Sequence, residues 1–74
     1  MKALRPDERL LVKSGRKKSP SGDVALLQVF RTWEGFTWSV EILTDLGSVR
    51  FGGGPHESKR GAWARARVLV KNYK

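Results

Sequence analysis

The sequence contains no cysteine, which excludes disulfide bonds and thiolate metal sites. It has a single histidine, His56, and one histidine without cysteine does not make a usual zinc site. No apolar run approaches the ~18 residues of a membrane-spanning helix, and the N-terminus lacks the apolar stretch of a secretory signal. At 74 residues, the chain is long enough for one domain. We therefore expect a single domain at 1–74, in the cytoplasm, without a metal ion or other cofactor.

Acidic side chains are scarce at both ends of the chain, although the formal net charge is +8. Residues 1–20 carry seven basic and two acidic side chains, and residues 58–74 carry six basic and no acidic ones. Residues 21–57 have an acidic excess of three charges. We expect a polyanionic or acidic partner to be contacted by the two basic ends rather than by the middle.

The middle of the chain has the pattern of an antiparallel meander. Residues 36–44 alternate apolar and polar side chains, which predicts a strand with one buried face. Residues 24–33, rich in Val, Leu and Phe, predict the strand before it, and residues 48–52 predict a short third strand. The meander is therefore expected at 24–52, with turns at 34–35 and 45–47.

The predicted register and the predicted cover of the sheet follow from the apolar positions. If Thr44 faces Val49, then Ile42 faces Phe51, and both fall on the apolar side. The first strand of the meander is apolar on both faces. We expect residues 10–12 to cover the face that the helix leaves open.

The N-terminal segment, residues 1–23, is harder to assign. Residues 6–13 suit either a short helix opened by Pro6 or an extra edge strand, and the sequence leaves both open. Residues 14–23 interleave Gly, Pro and Ser with basic side chains, which predicts a flexible basic loop. We expect Lys17 and Lys18 to be the side chains of this loop that reach a phosphate.

Three glycines and a proline at residues 52–55 predict the end of the sheet, and Ser58 is a typical N-cap for a C-terminal helix at 58–72. The apolar positions at helical spacing are Ala62, Ala66, Leu69, Val70 and Tyr73, with Trp63 at the margin. A basic ridge at the side of this stripe consists of Arg60, Arg67, Lys71 and Lys74, which fall within about 60° of one another. The predicted fold is α+β: a three-stranded antiparallel β-meander packed against this helix.

The basic ridge is the strongest functional feature, since exposed helix faces usually mix charges of both signs. Binding to nucleic acid or to an acidic partner is predicted for these residues: Lys17, Lys18, Lys59, Arg60, Arg67, Lys71, Lys74 and Trp33. Trp33 is expected to be partly exposed beside a turn, whereas Trp38 and Trp63 are expected in the core. No nucleophile is paired with His56 at a recognisable spacing, so we do not expect an enzyme.

Two family resemblances bear on function. Residues 52–62 have the sequence GGGPHESKRGA, and Ala66 follows. This segment resembles the end of a double-stranded-RNA-binding domain, which implies that Lys59 and Arg60 contact phosphates. The predicted order of three strands and a helix resembles the module of AP2 domains and of integrase arm-binding domains, and the stretch from Trp38 to Ile42 is similar to an AP2 strand. This resemblance implies a sheet that reads the DNA major groove.

The predicted function is therefore non-enzymatic binding of nucleic acid, DNA or RNA, through phosphate contacts. The alternative is a small regulatory protein that docks on an acidic surface of a transcription or nucleic-acid-processing machine. Its size and architecture are similar to those of small phage proteins that bind a host protein. A protein partner is expected to use Trp33 and an exposed strand edge, whereas nucleic acid is expected to use Lys and Arg.

Overall fold

The computed structural model describes residues 4–73 as a four-stranded antiparallel sheet with one helix on one face. The elements are β1 (Arg9–Lys18), β2 (Val24–Thr32), β3 (Gly35–Thr44), β4 (Gly47–His56) and α1 (Lys59–Asn72). Strand order in the sheet follows the chain, so β1 and β4 are the edges. The α+β class is confirmed, and the number of strands is four instead of the predicted three.

The additional strand is β1, and it takes up half of the segment predicted as a basic loop. Arg16, Lys17 and Lys18 pair with Leu26, Ala25 and Val24 of β2, and the loop prediction is wrong for residues 14–18. The remaining turn is short and is closed by a hydrogen bond of 2.9 Å from the Ser19 amide to the Asp23 carbonyl oxygen. A polar sequence forms a strand here because β1 is an edge, where charged side chains are common.

The triple glycine does not end the sheet as predicted, because β4 continues through it to His56. Gly53 lies opposite Trp38, and a Cβ atom at residue 53 would lie 2.9 Å from the indole ring. Glycine is therefore required here to make room for a core side chain. Proline has no backbone N–H to donate. Pro55 is tolerated because β4 is an edge strand, which has no second neighbouring strand to receive that hydrogen bond.

The turn between β3 and β4 is shorter than predicted, and this changes the register. It contains two residues, Asp45 and Leu46. Ile42 consequently pairs with Val49, and not with Phe51 as predicted. The error is two residues, so each of these side chains stays on the expected face of the sheet.

The core lies between the sheet and α1. Its buried apolar residues are Ala25, Leu27, Val29, Trp38, Val40, Ile42, Ala62, Ala66 and Val70. The helix begins as predicted, because the Ser58 hydroxyl accepts a hydrogen bond of 3.0 Å from the Gly61 amide. Trp63, Leu69 and Tyr73 are partly buried against this core, so the predicted apolar stripe is confirmed.

The opposite face of the sheet is not covered by residues 10–12, in contrast to the prediction. Leu10 and Leu11 belong to β1, which lies beside β2 in the sheet, and both are exposed. Val12 packs against the core on the helix side. On the open face, the guanidinium of Arg9 lies 4.2 Å from the centre of the Phe30 ring. An arginine in the same sheet therefore partly shields this ring, where an apolar segment was expected.

Candidate functional site: a basic groove between the first strand and the helix

An open groove of about 530 Å³ separates the end of β1 from the last turns of α1. We call it the basic groove, and its lining residues are Lys17, Lys18, Ser19, Pro20, Ala64, Arg67, Val68, Val70 and Lys71. Four of these side chains are cationic, and none is acidic. The groove therefore brings together basic residues from the two basic ends of the sequence.

The strand side of the basic groove is positioned by the alternation of β1. Lys17 pairs with the buried Ala25, which places Lys17 on the face of the sheet that α1 covers. The partner Ala25 has a small side chain, and the end of β1 at this position lines the groove together with α1. Lys18 and the turn residue Pro20 complete the strand side of the basic groove.

The helix side is positioned by the apolar stripe of α1. Arg67 follows the buried Ala66, and Lys71 follows the buried Val70. At 100° per residue, both cations fall on the same flank of the helix, about 6 Å apart along its axis. Trp63 lies on this flank too, and a Cβ atom at Gly15 of β1 would lie 3.0 Å from its ring. The contact shows that the flank carrying the basic ridge is the one beside β1.

Lys13 extends this line of positive charge, and the sequence interpretation did not include it. Its ammonium group lies 4.5 Å from the centre of the Trp63 ring. Lys13 and Lys17 pair with the core residues Val29 and Ala25, so both lie on the helix-facing side of β1. The signal in the sequence was the alternation of Lys13, Gly15 and Lys17, but it is visible only once these residues are assigned to a strand.

The remaining predicted contacts are distributed over the molecule. Arg60 lies at the start of the basic ridge, about 16 Å from Lys71 along the helix axis, and Lys59 lies in the same first turn. Both are exposed, and neither lines the basic groove. Lys74 lies outside the described residues.

Trp33 is 57% exposed, as expected for a side chain beside a turn. It follows the last residue of β2, whereas Lys18 pairs with the first residue of that strand. The length of β2 separates them by about 30 Å. The structure therefore does not bring Trp33 together with the basic groove.

The cations of the basic groove are not neutralised within residues 4–73. The salt bridge found among these residues joins Arg50 to Glu41, at 3.5 Å on the open face of the sheet. Lys17, Lys18, Arg67 and Lys71 make no ion pair or side-chain hydrogen bond to another described residue. Their positive potential is available to an anion from outside the chain.

The described residues hold no group of three or more His, Asp or Glu side chains that would bind a metal ion. His56 ends β4 opposite Phe36. Between residues 4 and 73, no helix has both the length and the apolar character needed to cross a membrane.

No protein-family model, curated protein or solved structure matches this chain. The resemblances to double-stranded-RNA-binding domains and to AP2 or integrase arm-binding domains thus depend on the motifs alone. Trp38 and Ile42 of the AP2-like stretch are buried beneath the helix, and Ser39 and Glu41 between them face the open side of the sheet.

Proposed function

We propose that this protein is a non-enzymatic nucleic-acid-binding module of the cytoplasm, which holds a phosphate backbone in the basic groove. The observation that carries the proposal is the convergence of Lys17, Lys18, Arg67 and Lys71 on one open groove without an acidic side chain. Nucleic-acid affinity arises largely from phosphate contacts with Lys and Arg and the release of counterions.

The shape of the groove supports a backbone contact. It is open to solvent, so a phosphate backbone can approach its cations from outside. Beyond the groove, Lys13 and Arg60 continue the positive charge toward the start of α1. The distance of about 16 Å between Arg60 and Lys71 along the helix axis corresponds to roughly five base-pair steps of 3.4 Å along a duplex axis.

The composition of the groove favours recognition of charge over recognition of sequence. Its polar groups other than the four cations are confined to Ser19 and the backbone, so few donors and acceptors are available to distinguish one base from another. We expect similar affinity for unrelated sequences, because phosphate contacts carry no sequence information.

The test is the salt dependence of binding to fluorescein-labelled 20-base-pair DNA and RNA duplexes, measured by fluorescence anisotropy. Each lost phosphate contact lowers the slope of log affinity against log salt by about 0.9 for duplex DNA. The double variant Arg67→Gln with Lys71→Gln is expected to show a slope shallower by about two, to the same extent on unrelated sequences. Both residues are exposed, so the core should be unaffected.

The matched control for the single variant Arg67→Gln is the single variant Arg65→Gln. Both arginines are exposed on the same helix, but Arg65 lies on the flank away from β1. Arg67→Gln should lower the slope, and Arg65→Gln should change it little. Absence of binding by the wild-type protein at about 50 mM salt, where phosphate contacts are strong, would refute the proposal.

The second candidate function is docking of the same groove on an acidic surface of a larger protein, as a small regulator of transcription or nucleic-acid processing. The observation that favours it is the apolar floor formed by Pro20, Ala64, Val68 and Val70, which suits protein side chains as well as phosphates. Affinity capture from a host lysate, with and without nuclease, separates the two functions. A stoichiometric protein that survives nuclease and is lost with the Arg67 and Lys71 double variant would support docking.

A further inference from the structure

The two edges of the sheet differ in how they are protected. Five of the ten residues of β1 are basic, and its pairing with β2 is interrupted by an irregularity after Leu11. Charged side chains and bulges are the usual means of preventing another strand from pairing with an edge. In β4 the single charged side chain before His56 is Arg50, and it is paired with Glu41. Pairing of β4 with β3 is regular from Gly47 to Gly53. After Gly53, β4 has its own irregularity and Pro55, so the unprotected part of the edges is β4 from residues 47 to 53.

A second groove lies beside this edge, on the opposite flank of α1 from the basic groove. We call it the β4 groove; it has a volume of about 430 Å³ and is lined by Trp38, Phe51, Arg65, Val68, Leu69, Asn72 and Tyr73. Phe51 and Tyr73 meet edge to face, with ring centres 5.8 Å apart. A strand paired with β4 would place alternate side chains against this mostly apolar surface.

The floor of the β4 groove contains a hydrogen-bond donor without an acceptor. The indole of Trp38 rests on Gly53, and its Nε1–H is buried and unpaired within the described residues. A buried donor without a partner costs on the order of 1–3 kcal/mol, and such donors are uncommon in folded proteins. The nitrogen is covered by its neighbours, so this donor belongs to the core beneath the β4 groove and is not a contact for an occupant of the groove.

The charge of the β4 groove selects the chemistry of its occupant. Arg65 is its one charged lining residue, and its exposed side chain makes no ion pair or hydrogen bond to another described residue. A second copy of this chain would bring another Arg65 and a net charge of +8 to the β4 groove. An acidic occupant has the complementary charge, whereas self-association is opposed by repulsion between like charges.

We propose that β4, from residues 47 to 53, together with the β4 groove, binds an extended acidic segment of a protein partner by strand addition. The segment pairs its backbone with β4, inserts apolar side chains between Phe51 and Leu69, and places a carboxylate near Arg65. This site is independent of the basic groove, so it does not rest on nucleic-acid binding.

The test uses a phage-displayed library of random nine-residue peptides, selected on the full-length protein. The selected peptides are expected to combine Asp or Glu with alternating apolar residues and to lack proline in the pairing segment. Their affinity is expected to fall about tenfold or more with Arg65→Glu, because an attraction becomes a repulsion. Arg67→Glu, the same change on the other flank, should leave peptide binding nearly unchanged. Bound peptide should slow amide hydrogen exchange at residues 47–53 and not in β1.

Three results would overturn this proposal. The first is that no peptide is enriched over a surface without the protein. The second is that enriched peptides bind Arg65→Glu as well as the wild type, or protect β1 instead of β4. The third is that sedimentation shows a dimer whose β4 amides are protected without peptide, which would assign the edge to a second copy. Thermal unfolding of both variants verifies that they are folded.

Discussion

Gly53 and Trp38 face each other across β3 and β4, and the indole occupies the space where a side chain of residue 53 would lie. This contact explains why the strand has a glycine at position 53. It also connects the core to the β4 groove, because Trp38 belongs to the buried cluster that includes the apolar stripe of α1 and lines that groove.

Substitution of Gly53 by alanine should destabilise the protein by about 1–3 kcal/mol, the usual range for overpacking a core. The added Cβ would lie 2.9 Å from the indole, which must then move. Urea unfolding provides the measurement. Ser48→Ala, at an exposed position of the same strand, is the control and should have little effect. Equal stability of the two variants would contradict this role of Gly53.

Replacement of Trp38 by alanine should unfold much of the protein at room temperature. The loss of a large buried side chain costs about 3–5 kcal/mol, which is comparable to the whole stability of a small domain. Circular dichroism during heating will show whether the cooperative transition is lost. Trp33→Ala removes the same side chain from an exposed site and should unfold near the wild-type temperature. A native-like transition for Trp38→Ala would exclude the core assignment.

The double variant Lys17→Glu with Lys18→Glu should remain folded and bind nucleic acid more weakly. Both side chains are exposed on an edge strand, so reversal of their charge changes the basic groove without disturbing the core. Anisotropy with duplex DNA at about 50 mM salt, together with thermal unfolding, measures both properties.

The control for this variant is Arg5→Glu with Arg65→Glu, which changes the net charge equally at exposed positions outside the basic groove. The groove variant should lose more affinity than the control. An equal loss would show that only the total charge matters, and unchanged affinity would exclude β1 from the site.

Removal of the Ser58 hydroxyl by substitution with alanine should cost about 1 kcal/mol of stability. The hydroxyl accepts the Gly61 amide at 3.0 Å, and this amide has no other partner at the start of the helix. Urea unfolding of Ser58→Ala, with Ser48→Ala as control, tests this role. Wild-type stability for Ser58→Ala would show that the cap contributes nothing.

The accuracy of the sequence prediction differs between elements for a physical reason. The helix was predicted with its bounds, because an N-cap and a period of 3.6 are local signals. For β1, a strand was one of two open alternatives at residues 6–13 and a loop was predicted at residues 14–18, because these polar residues become a strand only by pairing with β2. The triple glycine was interpreted as the end of the sheet, since the sequence does not show that Trp38 requires the space beside it.

In the candidate site, too, local signals predicted some residues correctly, whereas the positions of others depend on tertiary structure. Arg67 and Lys71 were predicted to lie together, and helical spacing is sufficient for that. Lys13 was missed because its position depends on the strand assignment. Trp33 was correctly expected to be exposed, but its distance of about 30 Å from the groove follows from the length and direction of β2.

The sequence by itself determined the charge at the two ends of the chain, the apolar stripe of the helix and the basic ridge beside it. Only the tertiary structure decided that the ridge faces β1, and that Lys17 and Lys18 therefore meet Arg67 and Lys71. The reason is that charge and helical periodicity depend on neighbours in the chain. The flank of a helix that lies beside a given strand depends on how Ala62, Ala66 and Val70 pack on the sheet.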